Sequence, residues 1–420
     1  MRLFYRGGGL SGPVFAEKRP EMRPFGGRGR TPGRAVTITD MEKNDPEKLL
    51  LEWLRRALWG TPASLEGLAA CDAAAWETLY GLAAQQGVLA LLWEVLEPLS
   101  AEVQPPKALR LRWAFETVRV ERRWRRQYRT VARLAAFYTR HGIPMMLLKG
   151  CGLSRCYPVP EHRPCGDVDI WLFGHQPGGD AALARELGIE VDMEKEHHTT
   201  FWFDGIPVEN HYDFLNTRTC ASNRRLERLL KRLAARPGES FEMGEARVYL
   251  PSATFNALFL LRHAAGHFAG CAIGLRHFVD WMRFVAACHD RIDWPVVQSA
   301  IRESGMQPFV DCFLGVCIGF LGLDADLLPP VRRDPRLERR MLEAVLHPPL
   351  SGTVPARRLP GIWFRLRRWW ACRWMRRMVY DEPLALGFLR MSWLHVKRHL
   401  PLLQAREAAD RARRAAQSRA

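Results

Sequence analysis

The hydrophobic positions change rhythm along the chain, and each change marks a change of structure. From Pro46 to about Arg140 apolar residues recur at helical spacing: Leu49, Leu50, Trp53, Leu54 and Leu58, then Trp76, Leu79, Tyr80, Ala83 and Ala84, ending near Gly87. A long helix is predicted over roughly residues 106–141. Glu121, Arg122, Arg123, Arg125 and Arg126 lie on its exposed side, and Gly142 is placed to end it. At Ile143 the texture shifts. Residues 144–148 form an apolar run of strand length punctuated by Gly150, and residues 153–157 suit a short helix. Residues 167–173 alternate acidic and apolar side chains as a half-buried strand does, and residues 179–187 return to helix. Residues 199–203 and 206–214 flank Asp204-Gly205, a strong two-residue turn signal, and predict a β-hairpin. From about residue 224 to 300 the pattern is helical again, with a break at 237–251. The fold class implied is α+β: a small mixed sheet with flanking helices, embedded between helical N- and C-terminal regions.

Chemistry concentrates where the strands are. Lys149-Gly150-Cys151 forms a glycine turn leading into a helix, and Asp167-Val168-Asp169 follows on the next strand. Residues two apart on a strand project to one face, so Asp167 and Asp169 make a two-carboxylate claw beside a glycine loop. Carboxylates are hard ligands suited to Mg²⁺, and phosphoryl chemistry commonly uses two such ions shared by three acids. Glu209 is the candidate third acid. In the second hairpin strand Glu209, His211 and Asp213 share one face, and a strand adjacent to the Asp-x-Asp strand would bring Glu209 beside the pair. Gly150 would let the backbone approach phosphate oxygens.

Other signals have plainer readings. His197-His198 reads as polar surface at a hairpin entry, and His211 as a residue that packs, braces Glu209 or touches substrate. His263 and His267 stand four apart on a helix, as in some zinc sites, but lack an intervening glutamate; a packed or nucleotide-facing helix is expected instead. Arg276 and Asp280 are spaced for an intrahelical ion pair. Cys151, Cys156 and Cys165 flank the motif without a general base arranged to activate a thiol.

The formal charge of +17 changes the picture less than its size suggests. Residues 1–40 hold eight Lys/Arg against three acids, and residues 357–420 hold sixteen against four, which leaves the body between them neutral. The Gly/Arg/Pro-rich first 40 residues are expected to be a disordered basic extension. Around residues 361–380 tryptophans and arginines interleave. That pattern suits a helix packing its tryptophans on the body, or a surface that meets an anionic membrane or nucleic acid. The apolar stretch at 309–328 contains Asp311, Asp324 and Asp326 and reads as a buried helix followed by a loop, not a membrane span. Glycines and arginines interrupt the N-terminus where a secretory signal would be apolar, and the ten cysteines form no Cys-x-x-Cys pair. They are expected as reduced thiols in a cytoplasmic protein.

The motifs Gly142-Ile143 to Lys149-Gly150, Arg163-Pro164 before Gly166-Asp167-Val168-Asp169, and Val208-Glu209-Asn210-His211 resemble the nucleotidyltransferase superfamily that includes DNA polymerase beta. More closely, the chain resembles a largely uncharacterised bacterial family of nucleotidyltransferase proteins. The resemblance continues through His263 to His267 and Leu275-Arg276-His277-Phe278-Val279-Asp280. It implies a metal site of Asp167, Asp169 and Glu209 holding Mg²⁺ or Mn²⁺, with Gly150 in the phosphate-cradling turn. Lys149 and Arg163 are then candidate triphosphate contacts. Cys151 stands where better-known members carry serine or threonine, which weakens that one contact. The activity implied is transfer of a nucleoside monophosphate from a nucleoside triphosphate to an acceptor hydroxyl on a small molecule, protein or RNA. The alternatives are a nucleotide-binding or interaction protein without turnover, and an RNA or membrane-surface binder acting through the basic C-terminus. The organisation expected is a 1–40 extension, a helical region at 41–141, a nucleotidyltransferase core at 142–216, a second helical region at 217–350 and the Trp/Arg segment at 351–420.

Overall fold

The computed structural model describes residues 45–195, 197–217, 222–348 and 358–389. The expectations for residues 1–40 and for the end of the tail lie outside them. Four helices open the described chain: α1 (Pro46–Trp59), α2 (Leu65–Ala69), α3 (Ala73–Gln85) and α4 (Leu89–Leu96). The side chain of Asp45 caps α1 by accepting from the Glu47 amide, Pro46 occupies the first turn, and Gly60 ends the helix with a left-handed φ of 69°. Helix α5 (Lys107–Arg140) runs for 34 residues, about 51 Å at 1.5 Å per residue. Its buried stripe includes Leu109, Trp113, Trp124, Gln127, Val131, Leu134 and Tyr138, while Arg122, Arg123, Arg125 and Arg126 face out. The stripe serves two separate hydrophobic clusters. Leu109 and Trp113 belong to one built with α1, α3 and α4, and Trp124 to Tyr138 belong to another built on the sheet.

The strands are β1 (Met145–Leu147), β2 (Val168–Trp171), β3 (Val191–Asp192), β4 (His198–Phe203), β5 (Ile206–His211), β6 (Glu239–Met243) and β7 (Ala246–Leu250). Helix α6 (Cys151–Ser154) follows β1, α7 (Gln176–Leu187) follows β2, and α8 (Asn223–Ala234) follows β5. They form one mixed sheet in the order β3-β4-β5-β2-β1-β7-β6. β2 runs antiparallel to β1 and parallel to β5, and β7 runs parallel to β1. The break expected at 237–251 is therefore a second hairpin that extends the sheet past β1. Residues Asp204 and Gly205, at φ 51° and 67°, make the predicted turn between β4 and β5.

The remaining helices are α9 (Ala253–Ala269), α10 (Leu275–Cys288), α11 (Trp294–Glu303), α12 (Gln307–Gly319), α13 (Pro335–Leu346), α14 (Arg358–Ala371) and α15 (Arg373–Val379), and all but α14 extend the first cluster. The 309–328 stretch is a buried helix and loop as expected, and among the described residues no helix is long and apolar enough to cross a membrane. The Trp/Arg segment divides. Trp374 packs edge-on against Phe268, and Met375, Met378 and Val379 are buried, whereas Trp363 and Trp370 stand exposed. One expectation for the cysteines is overturned: Cys271, in the α9–α10 loop, forms a disulfide with Cys372 at the start of α15. Seven others, Cys71, Cys151, Cys156, Cys165, Cys288, Cys312 and Cys317, are free thiols.

Candidate active site

The site is set by strand register. β2 and β5 pair in parallel with Asp169 opposite Glu209 and Trp171 opposite His211, so residues from two distant segments meet on one face of the sheet. The His211 Nε2 atom lies 3.2 Å from Asp169 Oδ1 and 3.7 Å from Glu209 Oε2. Its Nδ1 lies 3.1 Å from the Asp213 carbonyl, which fixes the ring. One ligand atom each from Asp169, Glu209 and His211 fall within 4.8 Å of one another, the spread of a cation site.

The carboxylates differ sharply. Asp169 is buried and Asp167, just outside β2, is exposed. Burial would push the Asp169 carboxyl up. The Lys149 ammonium, 3.0 Å away, and the His211 hydrogen bond overcome that and hold it well below the usual carboxylate range. Glu209 is raised, first by burial and then by the charges of Asp169 and Asp167. Asp167 thus stands within electrostatic reach of Glu209, and its charge is also felt by His267.

The glycine turn is held from outside the motif. Gly150 adopts φ 60° and ψ −129°, a combination that L side chains avoid. A Cβ there would sit 3.2 Å from Gln127 Oε1. The Gln127 amide in turn donates to the Asp167 carbonyl at 2.8 Å, so one side chain of α5 holds both the glycine turn and the Asp loop. Gln127 was not singled out in the sequence. The available signal is a polar residue inside an otherwise apolar buried stripe.

Other expected site residues are placed differently. Arg163 is buried and forms a bidentate pair with Asp280 at 2.8 and 2.9 Å, while Tyr157 donates to the same carboxylate at 2.6 Å. Arg163 is therefore turned toward α10, and Asp280 pairs across elements instead of with Arg276 along its own helix. The Cys151 thiol is buried and donates to Gln127 Oε1 at 3.4 Å. Lys149 lies on Asp169 and over the Phe259 ring, at 5.8 Å from its centroid. His197 and His198 belong to the site, not to polar surface. Together with His211 they form a second compact ligand set, and His198 Nε2 lies 3.6 Å from Glu209 Oε1. Burial, followed by the charge of His211, lowers His197 to about 4 and His198 to about 3.

The opposite wall is helical. His263 and His267 of α9 and His277 of α10 form a third compact set. Burial first, then the charge of Lys149, keeps His263 and His267 below the ordinary imidazole range, and burial followed by His267 lowers His277 to about 3. Acids on a sheet and imidazoles on a helix pair, with Lys149 near both, can gather a cation and a polyanion together.

No curated protein and no solved structure matches the chain. A family described as uncharacterised nucleotidyltransferase matches residues 72–322, which span α3 to the end of α12 and contain every strand of the sheet and all the residues above. The match covers more than half of the sequence, and the chain belongs to this family of uncharacterised nucleotidyltransferases.

Proposed function

We propose that the protein transfers a nucleoside monophosphate from a nucleoside triphosphate to an acceptor hydroxyl, with a divalent cation held by Asp167, Asp169 and Glu209. The observation that carries this reading is the β2–β5 register, which sets Asp169 against Glu209 with Asp167 two residues upstream. The donor set fits the cation: carboxylate oxygens are hard ligands suited to Mg²⁺ or Mn²⁺, and Asp169 is held in its charged form. When bound, the ion would neutralise triphosphate oxygens and favour the deprotonated acceptor.

The chain's own groups then have distinct tasks. Lys149 meets the anionic triphosphate from the sheet side while neutralising Asp169, and Gly150 keeps the turn free of a side chain. Glu209, raised by its surroundings, is the carboxylate suited to take the acceptor proton as the new oxygen–phosphorus bond forms and pyrophosphate leaves. Arg163 and Cys151 support the turn from behind, Arg163 by donating to the Gly150 carbonyl while anchored on Asp280, and Cys151 through Gln127.

Asp167 gives the cleanest test because it is exposed and its side chain can change without emptying a buried ion pair. Asp167→Asn should weaken calorimetric binding of ATP or GTP in the presence of Mg²⁺ at least tenfold, with an unchanged melting curve. Affinity equal to that of the natural chain, with Mg²⁺ dependence intact, would rule out the reading.

A further inference from the structure

His263, His267 and His277 take no part in the carboxylate chemistry proposed above, and their arrangement is specific. The first two project from one face of α9 at i and i+4, and the third enters from the first turn of α10. Ring centroids lie 4.5 Å apart for His263–His267, 4.6 Å for His267–His277 and 5.6 Å for His263–His277. A ligand nitrogen from each falls within 4.8 Å of the others. Zinc bonded to three imidazoles at 2.0–2.1 Å needs nitrogens roughly 3.4 Å apart, a small side-chain adjustment from this spacing.

The orientation of His277 is the second observation. Its Nδ1 sits 3.2 Å from both the amide nitrogen and the carbonyl oxygen of Gly274, and its Nε2 is buried without a hydrogen-bond partner among the described residues. In the tautomer that donates Nδ1–H to the Gly274 carbonyl the ring presents an Nε2 lone pair, the state of a metal-binding histidine, and a bound metal would select that tautomer over the one that accepts from the Gly274 amide. The Ala272 backbone makes a comparable contact with His267. In either tautomer the buried Nε2 is left without a partner beside two other imidazoles, an unfavourable arrangement unless something meets it.

We propose that His263, His267 and His277 form a transition-metal site of the Zn²⁺ class, separate from the carboxylate site, with one coordination position left for an anionic oxygen. Three nitrogen donors and no carboxylate favour Zn²⁺ or Co²⁺ over Mg²⁺. Lys149 and Arg276 carry positive charge near the cluster, and Asp167 carries negative charge near it. An anion in the open position offsets the crowding of cations, which suits the phosphate-binding reading proposed above.

The full chain, stripped of metal, is titrated with Zn²⁺ by calorimetry and with Co²⁺ by visible absorption. The natural chain should bind one equivalent with an intense four-coordinate Co²⁺ spectrum. Asp167→Asn should retain it. His277→Ala and His263→Ala should each weaken it at least tenfold and lose the spectrum, and His267→Gln provides a milder variant should either alanine variant melt early. Absence of such binding in the natural chain would overturn the proposal, as would retention of affinity and spectrum in well-folded His277→Ala. So would an equivalent abolished by His211→Ala and not by His277→Ala, which places the metal on the other histidine cluster. Variants that bind Zn²⁺ normally but lose metal-free affinity for inorganic triphosphate would make the cluster an anion site and refute the metal.

Discussion

The sheet wall and the helix wall of the site are built from opposite materials. On the sheet the acids are charged and held close to a cation: Asp169 sits between Lys149 and His211, and Glu209 lies beside His211 and the neutral His198 ring. On the α9–α10 wall the clustered groups are imidazoles kept neutral by burial. A wall of paired charges keeps its character across the physiological pH range and changes it when one partner is removed. A wall of neutral imidazoles tolerates the loss of one ring but is vulnerable to protons. The Arg163–Asp280 pair joins them, because Arg163 lies on the loop entering β2 and Asp280 lies on α10.

The largest expected effect comes from cutting that tie. Arg163→Ala leaves the Asp280 carboxylate buried with the Tyr157 hydroxyl but no cation, and should destabilise the protein by about 3–5 kcal/mol in urea unfolding. A loss below about 1 kcal/mol would show that the two walls are held together elsewhere.

Acid should separate the walls next. The folded value of His277, about 3, lies below the ordinary imidazole value, so the unfolded chain takes up the proton first. Its neutral ring therefore contributes stability that is complete above roughly pH 6.5 and is lost as pH falls toward the folded value. Between pH 7 and pH 5 that loss should be about 2 kcal/mol. Asp169 responds in another window. Its folded value is depressed, so its contribution holds above the ordinary carboxylate value and fades only in stronger acid. Denaturant midpoints measured across pH 5–7 should fall in the natural chain and fall less steeply in His277→Gln, where the other lowered imidazoles remain. Equal slopes in the two proteins would contradict the assignment.

A smaller effect is expected at the turn. Gly150→Ala must hold a side chain in a conformation reserved for glycine and press it on Gln127, for a cost of about 1–3 kcal/mol. Because Gln127 also holds the Asp167 carbonyl, Mg²⁺-dependent nucleotide affinity should fall along with stability. Stability that falls while affinity is unchanged would separate the turn from the acids.

These contrasts mark what could be read in the sequence. The α5 helix, the Asp204-Gly205 hairpin and the placement of Glu209 beside Asp169 were legible because each rests on local periodicity or a turn with few alternatives. The β6–β7 hairpin was not. β6 carries mostly exposed or partly exposed positions, so its sequence lacks the buried alternation that marks a strand, and Gly244 alone did not identify the turn. Partners chosen across long separations were equally hidden: Asp280 by Arg163, Gln127 by the Gly150 turn, Cys372 by Cys271. His263 and His267 were visible as a pair, but the third ring comes from the next helix after a loop whose path no spacing rule gives.

The long α5 helix has a consequence for how the molecule comes apart. One half is embedded in the helical cluster and the other in the cluster on the sheet, and the helix passes from one to the other without interruption. Helical order propagates cheaply along a chain once begun but is costly to start anew. Neither core can melt without stripping half of the shared helix and exposing its apolar face to water. The two should therefore absorb heat and lose helicity in one cooperative step, and a calorimeter should record a single peak from a chain whose sequence reads as several regions.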